Sequence, residues 1–289
     1  MIAPAPTAVL LVTCPDRRGL VAGVSQFVLR HGGNIVDADQ HADAESGTFF
    51  QRVELELEGL DLDRGQLEGA FLAEVAEPLG MSAEVRFSDE VARLAILASK
   101  EPHCLYDLLS RWRAGELAAE VAVVLSNHPD HADVSAFFGV PYHHLPTTPE
   151  ARPAQEAAVL DVLEEHRIDL VVLARYMQVL GDAVVERHRS RIINIHHSFL
   201  PAFVGARPYH QAHARGVKII GVTAHYVTPE LDQGPIIEQD VVRVTHRDGI
   251  ADMVRKGRDL EKTVLARAVR HHLGHRVIVD GRRTVVFGG

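Results

Sequence analysis

The first part of the chain begins with a strand-like pattern followed by a helix-like one. Residues 8–13 form a short apolar run, which predicts a buried strand. Apolar residues then recur at helical spacing from Leu20 to Val28, which predicts a helix. We expect Asp16 to cap this helix and Gly32-Gly33 to end it.

Three further strands and a second helix complete the first 87 residues. Apolar and polar residues alternate over 53–58, which predicts a strand with one buried face, and 34–44 can pair with it through a turn at 45–47. A helix is predicted over 63–79 and a last strand over 81–87. The order β-α-β-β-α-β predicts a small ferredoxin-like domain.

After residue 89 the pattern changes to apolar strands separated by segments of helix length. The strand-like runs are 93–98, 121–125 and 168–174. Strands that alternate with helices predict a Rossmann-like, mostly parallel sheet whose ligands bind beyond the carboxyl ends of the strands. The predicted fold is therefore α/β, with one domain at 1–87, a linker at 88–92 and a second domain at 93–289.

The composition narrows the function classes. Of the 289 residues, 46% are hydrophobic and 24% charged, which is typical of globular proteins. The 39 acidic residues exceed the 30 basic ones, so the net charge of -9 argues against a nucleic-acid partner. Two cysteines cannot form a disulfide framework, and no run approaches the roughly 18 apolar residues of a membrane span. The first 20 residues lack the layout of a secretion signal, and we expect a cytoplasmic protein.

The densest group of chemically active residues lies at 191–201. Residues 192–195 predict a strand, so Asn194 and His196 project to the same side at its carboxyl end. An asparagine amide can donate to a developing oxyanion, and a histidine can donate a proton or stabilise negative charge. This pair therefore predicts a site where a carbonyl group is attacked.

A carboxylate in a turn-rich loop could complete this site. Asp232 begins an Asp-Gln-Gly-Pro turn, which is too tight for a helix and can hold a carboxylate rigidly. If Asp232 reaches His196, it favours the imidazolium and can hold a water molecule. Since no serine or cysteine nucleophile stands in an obvious elbow, the implied chemistry is acyl transfer directly to a bound acceptor.

Structural roles are the alternative for each of these residues. An Asn or His at a strand end can be a loop cap, and an Asp in a turn can bond only its own backbone. His225 lies inside an apolar run and fits a satisfied core histidine or one that supports a neighbouring catalytic group. The adjacent pairs at 143–144, 196–197 and 271–272 point their side chains apart, and we expect no metal site.

Two stretches of the second half resemble the folate-dependent formyltransferases. The run from Asn194 to Pro201 is similar to their N-x-H-x-S-x-L-P motif, and the spacing from His225 to Asp232 is similar to their His–Asp spacing. The resemblance implies Asn194, His196 and Asp232 as catalytic residues, and it implies that the loop after residues 171–174 receives the pterin of 10-formyltetrahydrofolate. The residues implied to bind the substrate are Arg175, Tyr176, Met177, Gln178, Val179, Ser198 and His225.

The first half resembles an ACT domain, a module that commonly senses amino acids. The resemblance lies in residues 10–39, which include Cys14-Pro-Asp-Arg-Arg-Gly19 and His31-Gly-Gly-Asn34. It implies a site for an amino-acid effector at an interface of a homo-oligomer, with methionine and glycine as opposing effectors. The residues implied to bind the effector are Asp16, Gly19, Gly33 and Asn34.

An ACT domain ahead of a formyltransferase domain is similar to the formyltetrahydrofolate deformylase family over essentially the whole chain. The related transformylases hold the phosphate of their acceptor on a glycine-rich loop, and the matching stretch here, 99–104, has no glycine. Pro102 lacks an N–H and Glu101 would repel a phosphate, which favours water as the acceptor, although Lys100 leaves the alternative open.

The resemblance thus implies a hydrolase that acts on a linear amide, releasing formate and tetrahydrofolate for one-carbon metabolism and purine biosynthesis. We expect no separate cofactor, because the folate is the substrate, and we consider Arg175 and Arg207 for its anionic tail. Two alternatives remain open. One is a formyltransferase that uses an amine acceptor such as glycinamide ribonucleotide, and the other is a non-catalytic regulator that binds amino acids.

Overall fold

The computed structural model describes residues 5–148, 151–201 and 208–288, which divide into two compact units. The first unit is made of the chain as far as Val91 together with two later segments, Gly274–Ile278 and the one that begins at Val285. The second unit contains Ala92–Leu273 and Val279–Thr284. The sequence prediction assigned every residue after 92 to the second domain, whereas these C-terminal segments pack with the first unit.

The first unit is a four-stranded antiparallel sheet with helices on one face, as the sequence predicts. Its strands follow the order β2-β3-β1-β4. The strands are β1 (Thr7–Pro15), β2 (Ile35–Asp43), β3 (Thr48–Glu56) and β4 (Ser82–Phe87). The helices are α1 (Leu20–Arg30), α2 (Arg64–Phe71) and α3 (Glu77–Leu79), with a π-helical turn at Leu72–Ala76 between the last two.

The core of this unit lies between the sheet and the helices. Leu10 and Val53 are paired across β1 and β3, and both side chains are buried. They pack in one apolar cluster with Phe27 of α1 and Phe71 of α2, whose rings meet edge to face at 5.2 Å. The alternating pattern therefore predicted the buried face of the sheet correctly.

The start of α1 differs from the sequence prediction. Gly19, and not Asp16, is the residue at the N-cap, and its φ of 94° is accessible to glycine at low cost. Asp16 instead donates its backbone N–H to the carbonyl of Gly47 at 2.7 Å. Gly32, at φ 72°, ends the helix as expected.

The C-terminal segments of the first unit contact the outer face of its sheet. Arg52 on β3 is 3% exposed and donates to the carbonyls of Gly274 and His275. Its guanidinium also bonds Asp37 and Glu54 at 2.8 and 2.7 Å. A buried arginine with these acceptors is satisfied in charge and in hydrogen bonds, which fixes the segment in place.

The second unit is built on a mostly parallel seven-stranded sheet, as predicted. The strand order is β11-β10-β9-β8-β5-β6-β7, and β10 runs antiparallel to both of its neighbours, β9 and β11, whereas the other pairs are parallel. The strands are β5 (Ala92–Ala98), β6 (Ala119–Ser126), β7 (Tyr142–His144), β8 (Leu170–Ala174), β9 (Ile192–His196), β10 (Ile219–Tyr226) and β11 (Ile236–Arg243). A short pair, β12 (Val277–Asp280) and β13 (Arg283–Val286), follows near the C-terminus.

Helices separate the strands of this sheet, and the longest of them follows β11. They are α4 (His103–Arg113), α5 (Ala132–Phe138), α6 (Arg152–Glu165), α7 (Asp182–Arg187), α8 (Pro208–Arg215) and α9 (Ile250–Leu273). The parallel strands β5, β6, β8 and β9 end along one edge of the sheet. The predicted site residues 194–198 lie at this edge, in the last part of β9 and just after it. Among the described residues, no helix is both long and apolar enough to cross a bilayer.

Candidate active site

Antiparallel pairing of β9 and β10 places His225 directly opposite Asn194. The Nδ2 atom of Asn194 lies 3.2 Å from Nε2 of His225, and Nδ1 of His225 lies 2.8 Å from the carbonyl oxygen of Tyr226. Since a carbonyl only accepts, Nδ1 carries the hydrogen, and burial lowers the pKa of His225 so that the ring is neutral. His225 therefore accepts from Asn194 and orients its amide, which leaves the second amide hydrogen for a ligand.

His196, at the end of the same strand, is paired with Asp232. Nδ1 of His196 lies 3.3 Å from Oδ1 of Asp232, and Nε2 of His225 lies 3.8 Å from the same oxygen. The hydrogen bond from His196 lowers the pKa of Asp232 below its ordinary value, although burial opposes this. Nε2 of His196 is buried and has no hydrogen-bond partner among the described residues. That nitrogen is therefore available to a bound substrate.

A tight turn holds Asp232 against β10. Asp232 has a positive φ of 55°, and Gly234 packs so closely that a Cβ there would lie 1.7 Å from the carbonyl oxygen of Tyr226. The N–H of Tyr226 donates to the carbonyl of Pro235 at 2.9 Å. The turn and the strand that carries His225 are thus locked together, and the carboxylate has little freedom to move.

Thr223 on β10 anchors the loop that follows His196. Its hydroxyl donates to the carbonyl of Ser198 at 3.0 Å and accepts from the N–H of Leu200 at 3.0 Å. Gln239 on β11 adds a third bond to this hydroxyl at 2.8 Å. Ser198 is buried, and the hydrogen bond from Thr223 to its carbonyl fixes its backbone. Sequence patterns did not indicate Thr223 or Gln239, because only strand pairing brings them to this loop.

The predicted pterin loop after β8 is ordered by a serine at the end of β5. The Ser99 hydroxyl donates to Oδ1 of Asn127 at 2.7 Å and accepts from the N–H of Met177 at 3.0 Å. Met177 and Val179 expose 57% and 54% of their surface, so a firmly held backbone presents apolar side chains to solvent. This arrangement suits a flat heterocycle that needs backbone hydrogen bonds and apolar cover.

Tyr176 and Arg175 of this loop point elsewhere. Tyr176 is buried in an apolar cluster, and burial raises its pKa to about 12. Gln178 is half-buried. The guanidinium of Arg175 lies at 3.4 Å from the buried carboxylate of Glu261 and not at the surface. Arg207, the other candidate for the folate tail, lies outside the described residues.

The four predicted effector residues do not form one cluster within a single chain. Asp16 and Gly19 precede α1, and Gly33 and Asn34 follow it. The helix has 11 residues, so about 16 Å separates its two ends. The amide of Asn34 already donates to Glu56 at 3.0 Å. A shared site would therefore need the loops of more than one protomer.

A second polar cluster lies near the His196–Asp232 pair, and no sequence pattern indicated it. His103, Cys104 and Glu261 place their ligand atoms within 4.8 Å of one another. Nε2 of His103 is only 2.6 Å from Oε2 of Glu261, which is the distance of a direct hydrogen bond. Burial raises the pKa of the Cys104 thiol well above its ordinary value, which disfavours the thiolate that a metal needs.

Comparison with known proteins assigns both units. A model of the formyl transferase family matches residues 92–269, and a model of the ACT domain matches residues 8–68. The formyltetrahydrofolate deformylase of Synechocystis sp. is 56% identical over 97% of this chain and 98% of its own length.

Solved structures agree with these matches. The crystal structure of a formyltetrahydrofolate deformylase from Pseudomonas syringae is 48% identical, with a TM-score of 0.96 over 99% of this chain and 96% of that chain. Glycinamide ribonucleotide transformylase 1 from Symbiobacterium toebii is 33% identical, with a TM-score of 0.65 over 68% of this chain and 95% of that chain. The chain therefore belongs to the formyltetrahydrofolate deformylase family.

Proposed function

We propose that this protein hydrolyses 10-formyltetrahydrofolate to formate and tetrahydrofolate. The observation that carries the proposal is the pairing of His196 with Asp232 beside the oriented amide of Asn194. Three polar groups thereby converge at the end of β9, and the family to which the chain belongs is named for this reaction. We assign these three residues as the catalytic groups.

The reaction passes through a tetrahedral oxyanion. The formyl group is an amide of an arylamine, so water attacks its carbonyl carbon and the C–N bond then breaks. The free hydrogen of Asn194 and the Nε2 hydrogen of a protonated His196 donate to the oxyanion as it forms. Asp232 holds Nδ1 of His196 and assists removal of a proton from the attacking water. That proton goes to the leaving nitrogen, which yields tetrahydrofolate.

Water, and not a phosphorylated amine, is the proposed acceptor. The segment 99–104 lacks glycine, and Pro102 at the N-cap of α4 has no N–H to give an anion. The imidazole of His103, the first residue of that helix, is already hydrogen-bonded to the carboxylate of Glu261. A formyltransferase that uses glycinamide ribonucleotide is the second candidate, because its relatives share the fold of the second unit. The two differ in whether formate appears when no amine is supplied.

For the folate, we propose that the backbone of the 175–179 loop receives the pterin, with Met177 and Val179 covering it. Arg175 belongs to the Glu261 ion pair in this proposal and does not bind the glutamate tail. The mechanism uses only side chains of this chain, so we propose no separate cofactor and no metal.

For the first unit, we propose regulation by amino acids, with methionine and glycine as opposing effectors. The loops at the two ends of α1 are far apart in one chain, which supports a site shared between protomers of a homo-oligomer. β2 is an edge strand with an exposed surface, and such an edge can pair with a second copy. We further propose a cytoplasmic location and a role in supplying formate for purine biosynthesis. The buried free thiols of Cys14 and Cys104 agree with a reducing compartment.

Formate release in the absence of any amine tests the catalytic proposal. Alanine at 194, 196 or 232 should each lower turnover on the order of 10²- to 10³-fold, because each removes a group that acts on the oxyanion or the water. Asp161→Ala, at an exposed position on α6, is the matched control and should keep the wild-type rate. Near wild-type rates in the three site variants would refute the assignment. Separately, an activity that does not respond to methionine or glycine would remove the regulatory proposal.

A further inference from the structure

A buried carboxylate lies at the centre of a ring of donors in the second unit. Glu261 on α9 is 1% exposed. Its Oε2 lies 2.6 Å from Nε2 of His103 and 3.4 Å from Nε of Arg175, and its Oε1 accepts from the Tyr209 hydroxyl at 3.0 Å. These donors come from α4, α8 and the loop after β8. We call His103, Arg175 and Tyr209 the anion cradle.

Glu261 is charged in this cradle. Burial on its own raises the pKa of Glu261, but the hydrogen bond from His103 and the charge of Arg175 outweigh burial and lower it. Burial and the Glu261 charge raise the pKa of Tyr209, so its hydroxyl stays protonated and donates. His103 and Tyr209 therefore donate hydrogen bonds to the Glu261 carboxylate, and Arg175 adds a positive charge 3.4 Å away.

The cradle is shaped by packing and does not depend on Glu261 alone. A Cβ at position 257 would lie 1.9 Å from the hydroxyl oxygen of Tyr209, so glycine at this position admits the Tyr209 ring against α9. The cradle also has more donors than Glu261 uses, because Nε and Nη1 of Arg175 are both buried without a hydrogen-bond partner among the described residues. An arginine, a histidine and a tyrosine around one point suit a tetrahedral oxyanion as well as a carboxylate.

The cradle adjoins the catalytic residues through His197. The ring of His197 lies 5.2 Å from the ring of His196 and 6.3 Å from the ring of Tyr209, measured between centroids. Burial and the charge of Arg175 lower the pKa of His197 to about 4, so this ring is neutral between the two groups. An anion in the cradle would therefore be one side chain away from the proposed oxyanion site.

We propose that Glu261 is a resident anion that fills an oxyanion-binding site beside His196 and so denies that site to a phosphate-bearing acceptor. The inference deepens the proposed function, because it identifies the residue that helps to leave water as the acceptor. Removal of the Glu261 side chain turns the cradle into a binding site for inorganic phosphate. The carboxylate thus determines specificity without touching the reacting atoms.

A divalent metal on His103, Cys104 and Glu261 is the competing interpretation of this cluster. The direct hydrogen bond between His103 and Glu261 occupies the position that an ion would need. Arg175 adds a full positive charge at 3.4 Å from the same carboxylate, which repels a cation. The observations therefore favour an anion site.

Phosphate binding by Glu261→Ala tests the proposal without relying on catalysis. Phosphate in the tens of millimolar, compared with chloride at equal ionic strength, should raise the Tm of this variant by at least about 2 °C and leave the wild type unchanged. Glu261→Gln loses the same charge but keeps the space filled, so it should show at most a small shift. Asp161→Ala changes the net charge equally at an exposed site of α6 and should behave as the wild type.

Activity supplies the second readout. Phosphate should inhibit formate release by Glu261→Ala at least about tenfold more than by the wild type, because the filled cradle lies next to His196. If Glu261→Ala folds only poorly, acetate or phosphate in the refolding buffer should restore its circular dichroism spectrum where chloride does not.

Three results would overturn the proposal. One is a folded Glu261→Ala protein with no response to phosphate in Tm, and another is a misfolded one that neither anion restores. The third is a wild-type Tm that rises with micromolar zinc and loses this rise in Glu261→Ala, since this would favour a metal site. If the wild type released no formate, the proposed function would fail, whereas the Tm response of Glu261→Ala to phosphate would still test the cradle.

Discussion

Replacement of Gly234 by alanine should disable the site from a position that carries no functional group. The added Cβ would lie 1.7 Å from the Tyr226 carbonyl oxygen, whereas real Cβ atoms essentially never lie within 3.0 Å of such an atom. The turn and the strand must therefore separate by roughly 1.3 Å, the difference between those two distances. The same carbonyl accepts from Nδ1 of His225, and Asp232 lies only two residues before the substitution.

The expected loss is larger in turnover than in stability. A displacement of about 1 Å in a catalytic group costs on the order of 10²-fold in rate, so kcat for formate release should fall by about that factor. Overpacking of this kind costs about 1–3 kcal/mol, and each kcal/mol lowers the Tm of a domain of this size by about 2–4 °C. The variant should therefore remain folded at 25 °C while losing most of its activity.

The assay compares Gly234→Ala with Gly69→Ala. Gly69 lies on an exposed face of α2, where a Cβ would meet no atom within 4 Å. Alanine there should leave turnover unchanged and raise stability by up to about 1 kcal/mol, because alanine favours the helix. Formate release and thermal unfolding by circular dichroism measure both variants. A Gly234→Ala protein with turnover within about threefold of the wild type would refute the claim that this turn positions Asp232.

Three further predictions concern pH and the pterin loop. The pKa of His197 is lowered from 6.5 to about 4, so the folded protein binds this proton less readily than the unfolded chain. The free energy of unfolding should therefore rise with pH from about 4 to about 6.5. Urea titrations should show a flatter slope for His197→Asn. The pKa of Asp232 is lowered from 3.8 in the folded protein, so its carboxylate stabilises the fold fully above pH 3.8. This stabilisation is lost as the pH falls through the lower pKa of the folded state, and the Tm difference between wild type and Asp232→Asn should vanish in acid. Ser99→Ala leaves the N–H of Met177 unpaired, which should raise KM for the folate several-fold more than it lowers kcat in initial-rate assays.

Local patterns were sufficient for most of the fold. The alternation over 53–58 predicted a strand that the structure places at Thr48–Glu56, and the parallel strands of the second unit followed from apolar runs. The predicted N-cap of α1 was wrong because the sequence does not show which residue before Leu20 takes the left-handed conformation, whereas the backbone shows that Gly19 does. The short strand β7 and the pair β12 and β13 were missed, since strands of three or four residues carry too little pattern.

Some residues of the site are close in sequence, whereas others are brought together only by the fold. Asn194 and His196 are two residues apart on one strand, so the sequence predicted that they share a face. Glu261 lies 158 residues after His103 in the chain, and no pattern connects them. The same holds for Thr223 and the loop at 198–200, which meet only through the antiparallel pairing of β9 and β10.

Isotope transfer from solvent measures most directly whether the convergent groups on β9 and the 232–235 turn catalyse hydrolysis. The protein is incubated with 10-formyltetrahydrofolate in ¹⁸O-labelled water, without any amine, and the released formate is analysed by mass spectrometry. We predict one labelled oxygen in each formate, formed at a rate that falls on the order of 10²- to 10³-fold in His196→Ala. Formate that carries no label, or label that forms at the same rate in the variant, would contradict direct attack of water at this site.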